Sequence, residues 1–501
     1  MRRNCSIVAA VLALALACGI TTACSPEDDD KPTSLRIGAT ASPDSMDPTT
    51  NSAVAIPEAL LYNVYETLVK LDPDGALRPL LAAEWSVATD QLVYTFKLRS
   101  GAKFFSGAPV DAAAVAFNIN RIQTNERVTP VNKGWMALVA NTEVVDPATL
   151  KVTLSQPSNS WLYNMAGSLG AIIDPTATEE SLATTPAGSG PYQLKEWRKG
   201  EAVILTRNPN YWGTAGNFDT VTFRYYADPN SMTTAMLSGD LDIISNLSAP
   251  QALQQFSDTS KYQTVIGDTN GEIVMGFNHQ SEALSDIRVR QAICLGLDRA
   301  SMRDAVWAGY GTLIGSMVPP SDPWYEDLSG TYAFDPANAR ELLAEAGYAD
   351  GLTLRLRIPT LPYATGAAPF IVSQLADIGI TIVVDELEFP ARWVDEVMVN
   401  SNYDITIVSH VEPRDIDKWA NPDYYWHYNN PEFQRLVAEA EISATETQVA
   451  DMKAAARILA DDAAADWLWL LPSIKVSRVG FQGVPQNSIG WSFDVTAISH
   501  T

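Results

Sequence analysis

Apolar residues recur along this chain in two rhythms, every second position and every third or fourth, and the rhythms alternate from end to end. Leu35-Arg-Ile-Gly-Ala-Thr40 alternates and predicts a first strand. Ala59, Leu60, Val64 and Leu68 have helical spacing and predict a helix over 57–70, closed by the turn Leu71-Asp-Pro-Asp-Gly75. Leu92, Tyr94, Phe96 and Leu98 fall on one face of a strand, with Val93, Thr95 and Lys97 on the other. A helix follows from Val110 to about Arg121, capped by a neighbour such as Asp111. Further along, Asp335 as N-cap, Pro336 at the first turn, the stripe Ala339, Leu342, Leu343 and Ala346, and Gly347 past the end spell out another helix. Strands are predicted at 352–358 and 380–384, and helices at 367–378, 431–442 and 447–467. The segment 468–476 reads as a strand-like return. Interleaved strands and helices without an internal repeat predict an α/β chain of two lobes.

One stretch departs from plain core patterning. Ile405 to Val408 is a short β-branched run, read as a buried strand. It empties at His410-Val-Glu-Pro into Glu412, Arg414, Asp415, Asp417 and Trp419. Charges of both signs beside an aromatic suit a pocket for a zwitterion: a cation grips a carboxylate, an anion grips an ammonium, and a flat wall holds what lies between. The alternative is a solvated acidic loop.

Composition narrows the classes. The 501 residues carry 34 Lys and Arg against 59 Asp and Glu, a net charge of −25. That balance argues against a nucleic-acid partner, which needs a basic surface. Arg2 and Arg3 precede an apolar stretch from Ile7 to Ala17, the length of a signal-peptide core and too short to span a bilayer. It ends in Ala17-Cys18 and Thr21-Thr-Ala-Cys24, followed by the acidic Ser25-Pro-Glu-Asp-Asp-Asp-Lys-Pro32. This resembles a bacterial lipoprotein signal over 1–23 with a flexible tether over 24–34. Cys24 is the first choice for lipidation and Cys18 the second; ordinary cleavage and secretion is the alternative. Past that segment only Cys294 remains, inside a helical pattern that makes it core filler. Four histidines show neither the spacing of a helical metal pair nor a metal-ligand cluster. Gly188-Ser189-Gly190 lacks the frame of a nucleophile elbow and runs into Pro191, so it reads as a turn. Neither a phosphate loop nor a dinucleotide fingerprint occurs, and no cofactor is expected.

Several ordered blocks point to a family. Leu81-Ala-Ala-Glu-Trp85, Val93-Tyr-Thr-Phe-Lys-Leu-Arg99 and Gly101-Ala-Lys-Phe-Phe-Ser-Gly107 are followed by Gly188-Ser-Gly-Pro-Tyr-Gln-Leu-Lys-Glu-Trp197 and Arg207-Asn-Pro-Asn-Tyr-Trp-Gly213. Gly276-Phe-Asn-His279, Arg288-Val-Arg-Gln-Ala-Ile293, Met317-Val-Pro-Pro320 and the 335–347 helix come after them. Together they resemble the family 5 extracellular solute-binding proteins, the peptide- and nickel-type receptors of ABC importers, and most of all the dipeptide and oligopeptide branch. Phe105-Ser106 and Ala114-Val115 stand where that family usually has His-Asp and Asp-Val.

The resemblance implies a bilobal, Venus-flytrap fold with an extra subdomain in lobe I. Lobe I would take 35–268 plus 474–501, its insert about 49–183, and lobe II 269–473. It implies a monomeric, non-enzymatic, lipid-anchored receptor at the extracytoplasmic face of the bacterial cell membrane, handing short peptides to an ABC permease. Nickel chelates or oligosaccharides are the alternative cargo, and a secreted hydrolase is the rival class. In such receptors the segment after the equivalent strand supplies an aspartate to the peptide ammonium, usually in a Gly-Trp…Asp pattern. Here it reads Ser409-His-Val-Glu-Pro-Arg-Asp415. Asp415 is the first choice for the ammonium, Glu412 the second, Arg414 the partner for a carboxylate and Trp419 a wall. Met46, Asp47, Trp135 and Asn278 occupy positions where family members line the cleft.

Overall fold

Strand pairing sorts the described residues into two large sheets, a four-stranded one and two short two-stranded ribbons. The computed structural model describes residues 33–501, so the expected signal sequence, Cys18, Cys24 and all but the end of the expected tether lie outside the described residues. The largest sheet has seven strands, in the order Tyr262–Gly267, Ser473–Arg478, Ile243–Ile244, Ser34–Ala39, Thr220–Tyr225, Ala202–Arg207 and Tyr192–Arg198. The second has five, in the order Ile380–Leu387, Leu352–Pro359, Ile405–His410, Glu272–Phe277 and Ala465–Leu470. Parallel pairs lie within both, as βαβ connections require. Ala82–Val87, Val93–Leu98, Thr149–Leu154 and Val139–Asp146 form a separate antiparallel sheet. Helix Ala112–Thr124 packs on it through Val115, Ile119 and Ile122.

Sequence and structure agree wherever local chemistry dictates the element. Asp111 caps Ala112–Thr124 by accepting from Ala114 N at 2.9 Å, and Asp335 caps Pro336–Glu345. Gly347 takes the left-handed backbone (φ +92°) that ends that helix without a Cβ clash.

Three expectations are corrected. The helix expected over 57–70 spans only Ala55–Leu60. The residues beyond it, Leu61 to Val69, are buried without exception between two cores, so their spacing carries no amphipathic signal. The helix expected to reach Trp467 ends at Asp461, and Trp467 lies in the fully buried strand Ala465–Leu470. The strand-like return over 468–476 is two strands belonging to different sheets, broken at Leu471-Pro472.

That break is one of two places where the chain passes between the large sheets. The other runs from Tyr262–Gly267 into Glu272–Phe277, through 268–271. The two passages lie side by side and are tied together: Thr269 Oγ1 donates to Leu471 O at 2.6 Å, and Leu471 N to Gly271 O at 2.8 Å.

Candidate functional site

The run Ile405–His410 is the third strand of the five-stranded sheet, and Ile405 to Val408 are buried as β-branched residues between two layers should be. It pairs antiparallel with Glu272–Phe277 so that Glu272 stands opposite His410 at the sheet's end. There Arg414 adopts a left-handed backbone (φ +61°) and redirects the chain into the short helix Asp415–Ala420. For a residue with a Cβ this conformation costs on the order of 1 kcal/mol. It is held by what the side chain reaches. The Arg414 guanidinium lies 3.8 Å from the Tyr163 ring centroid and 5.0 Å from that of Trp324, and its Nε is 3.9 Å from Asp322 Oδ1. Tyr163 belongs to the core of the four-stranded sheet and Trp324 to the core beside the five-stranded sheet. Arg414 therefore sits between the two halves of the molecule.

Around it gather three buried carboxyl groups and a histidine. Glu272, Asp322 and Asp415 are each more than nine-tenths buried. His410 Nδ1 lies 3.4 Å from Asp415 Oδ2, and its Nε2 contacts the Tyr425 hydroxyl at 3.0 Å. Glu272 Oε2, Asp322 Oδ2, both Asp415 carboxylate oxygens, Arg414 Nε and Trp324 Nε1 have no hydrogen-bond partner among the described residues. Buried polar atoms normally do, so this concentration makes the junction the candidate site. Burial, with Asp415 close by, holds the Glu272 carboxyl well above the usual carboxylate range. Burial likewise pushes Asp322 up to about 7, outweighing the opposing pull of Arg414.

A cavity of about 710 Å³ opens beside this cluster. Arg414, Trp324 and Asp417 line it from one half, Trp135 and Ser160 from the other. Its rim is closed by a dense set of hydrogen bonds onto the end of helix Pro431–Ile442. Asn159 Nδ2 donates to Ala440 O and Ser443 O, each at 2.8 Å, and Asn159 N to Glu441 O at 2.8 Å. The Glu441 carboxylate accepts from Ser158 Oγ and, at 2.6 Å, from Ser160 Oγ. Free carbonyls at a helix end need such partners, and here the other half of the molecule supplies them.

The residues singled out from sequence are scattered in role. Arg414 and Trp135 line the cavity, and Asp415 sits behind Arg414 in the charged cluster. Glu412 is exposed and bonded to Lys418. Trp419 does not line the cavity. It is 1 % exposed, stacked on Trp426 at 3.7 Å and set edge-on to Trp467, a core role that its flat apolar face fills equally well. Asn278 donates to Ser401 O and Tyr403 O and holds a loop. Met46 is fully buried, and Asp47 is spent on Arg121 at 2.9 Å and on Thr49. These four are turned to internal partners. Ser189, in the Gly-Ser-Gly turn, donates to buried Glu66 at 2.7 Å, as a structural serine does. Sequence reasoning missed Tyr163, Glu272, Asp322, Trp324 and the 158–160 segment. Glu272 alone left a trace, a carboxylate opening the apolar run Ile273 to Phe277.

Comparison with known proteins places this geometry. Residues 76–433 match the bacterial extracellular solute-binding proteins, family 5 Middle. Glutathione-binding protein GsiB of Salmonella paratyphi A is 31% identical over 340 residues, 67% of this chain and 66% of that protein, so the match leaves about a third of the relative's length uncovered. The ABC transporter substrate-binding protein CtaP of Listeria monocytogenes superposes with a TM-score of 0.83 at 22% identity, covering 94% of this chain and 100% of that one. A dipeptide-binding protein from Pseudoalteromonas, solved in complex with Met-Leu, gives 0.79 at 20% identity over 93% and 100%. Both likenesses establish the bilobal fold. No helix among the described residues is long and apolar enough to cross a membrane.

Proposed function

The chain belongs to the bacterial extracellular solute-binding proteins of family 5, and from that premise we propose that it captures a short peptide between its two lobes and passes it unaltered to an ABC permease. In this reading Asp415 takes the peptide's α-ammonium. Arg414 and the Trp324 indole N–H take its carboxylate, and Trp135 borders the space for side chains. A guanidinium stacked on aromatic faces keeps its in-plane N–H donors free, so Arg414 is set to bind without being consumed by its packing. The lobes are 35–268 with 474–501, carrying the insert at about 49–183, and 269–473. The passages at 268–271 and 471–472 act as the hinge. Acylation of Cys24, with Cys18 second, holds the receptor at the extracytoplasmic face of the cell membrane, where it works as a monomer.

One observation carries the reading: Arg414, stacked between aromatic rings, lines a chamber walled by both halves, with the buried carboxyl groups of Asp322 and Asp415 beside it. The glutathione named for the GsiB relative and the Met-Leu bound by the Pseudoalteromonas neighbour are cargo of the same kind. A thermal-shift screen tests it, because a ligand bound only by the folded state at 100 times its Kd stabilises by about 2.7 kcal/mol. Di- to tetrapeptides and glutathione are expected to raise Tm while nickel chelates and oligosaccharides leave it in place. The reverse pattern overturns the peptide assignment.

A further inference from the structure

Glu272, Asp322 and Asp415 come from three separate stretches of chain and meet at the lobe junction. Glu272 faces His410 across the sheet, Asp415 lies beside the same histidine, and Asp322 lies beside Arg414. Arg414 supplies one guanidinium among three carboxylates. Lys418, the other cation acting on Glu272, is bonded to Glu412. A zwitterion brings one charge of each sign, so a neutral peptide leaves the excess of carboxylate as it was. Four oxygens of these three side chains accept no hydrogen bond from the described residues; because a buried anion without a partner is costly, burial holds Glu272 and Asp322 toward their protonated forms in the empty protein. The cluster is satisfied by a cation arriving from outside. The nearby faces of Tyr163 and Trp324, already arranged around one guanidinium, suit a second positive group.

We propose that the cargo carries a positive charge in addition to its α-ammonium, seated against Glu272 and Asp322 while Asp415 keeps the α-ammonium, so that the preferred class is the basic peptides, with lysine- or arginine-like side chains. This rests on the peptide reading above, and the experiment separates the two. Lys-Ala and Ala-Lys are titrated calorimetrically into the purified full chain beside their norleucine counterparts, which are close in size and uncharged. The lysine peptides are expected to bind at least about tenfold more tightly, as a desolvated charge pair does. That ratio should shrink in both Asp322→Asn and Glu272→Gln, two variants being used so that a folding defect in one leaves the other to report. Equal affinity for lysine and norleucine peptides overturns the second charge and leaves peptide capture standing. Failure of every peptide, with a nickel chelate or sugar bound instead, overturns the peptide reading and this inference with it. A free diamine that binds as tightly as the lysine peptides supports the cation seat and overturns the requirement for a peptide.

Discussion

Arg414 shows how much one residue can be asked to do. Its strained backbone, its place between Tyr163 and Trp324, and its unpartnered Nε all serve the same position. Removing one member of a desolvated pair typically costs about 2–5 kcal/mol, so Arg414→Ala should weaken peptide binding by about thirtyfold or more in calorimetry. Arg414→Lys should recover only part of that, since an ammonium has no plane to stack. Asp322 makes a second prediction. Unfolded aspartate titrates near 4 and folded Asp322 near 7, so between those values the folded chain holds a proton that the unfolded chain lacks. Stability of the ligand-free protein therefore falls as pH rises from about 4 to about 7 and levels off above. Glu58 and Asp466, raised by burial to about 7 and about 6, add to the same decline. The comparison that isolates Asp322 is the Tm of Asp322→Asn against the parent, expected to favour the variant progressively as pH climbs from 5 to 7.5. Of this residue-scale picture, Arg414 and Asp415 were legible because they directly follow a strand. Asp322 and Glu272 were not, because only folding brings them together from distant parts of the chain.

Among the elements, those with one face in water announced themselves. Val93–Leu98 and Ala112–Thr124 each bury one face and expose another, so strand or helix rhythm survives in the residue types. Where burial is complete the rhythm vanishes, as over Leu61 to Val69 and in Ala465–Leu470, and helix cannot be told from strand there. The junction between segment 158–160 and helix Pro431–Ile442 was invisible for another reason: serine, asparagine and glutamate are ordinary surface residues until the fold sets them face to face. This junction can form only while the halves are together, so its energy is added to ligand affinity. Hydrogen bonds to a charged group contribute about 1.5–3 kcal/mol each, and Glu441→Ala is expected to weaken peptide binding by about tenfold or more. Its far-UV spectrum should be unchanged, because Glu441 lies at the tip of its helix.

For the whole molecule, the two-lobed α/β architecture followed from the order of predicted elements together with the family blocks, whereas the shared chamber required the halves to be assembled. Small-angle scattering should report a smaller radius of gyration when peptide is added, and Glu441→Ala should shift the ligand-free ensemble toward the larger value. The two passages between the sheets are fastened to each other through Thr269, Gly271 and Leu471. In the proposed receptor such a pair acts as a single axle, permitting swing and resisting independent sliding of either strand. A guest then has no half-released station in which to linger, and stopped-flow dissociation should follow one exponential. Removing one of its two bonds with Thr269→Val, which leaves the Leu471 N–Gly271 O bond in place, should begin to split that decay into two phases as the halves part by separate routes.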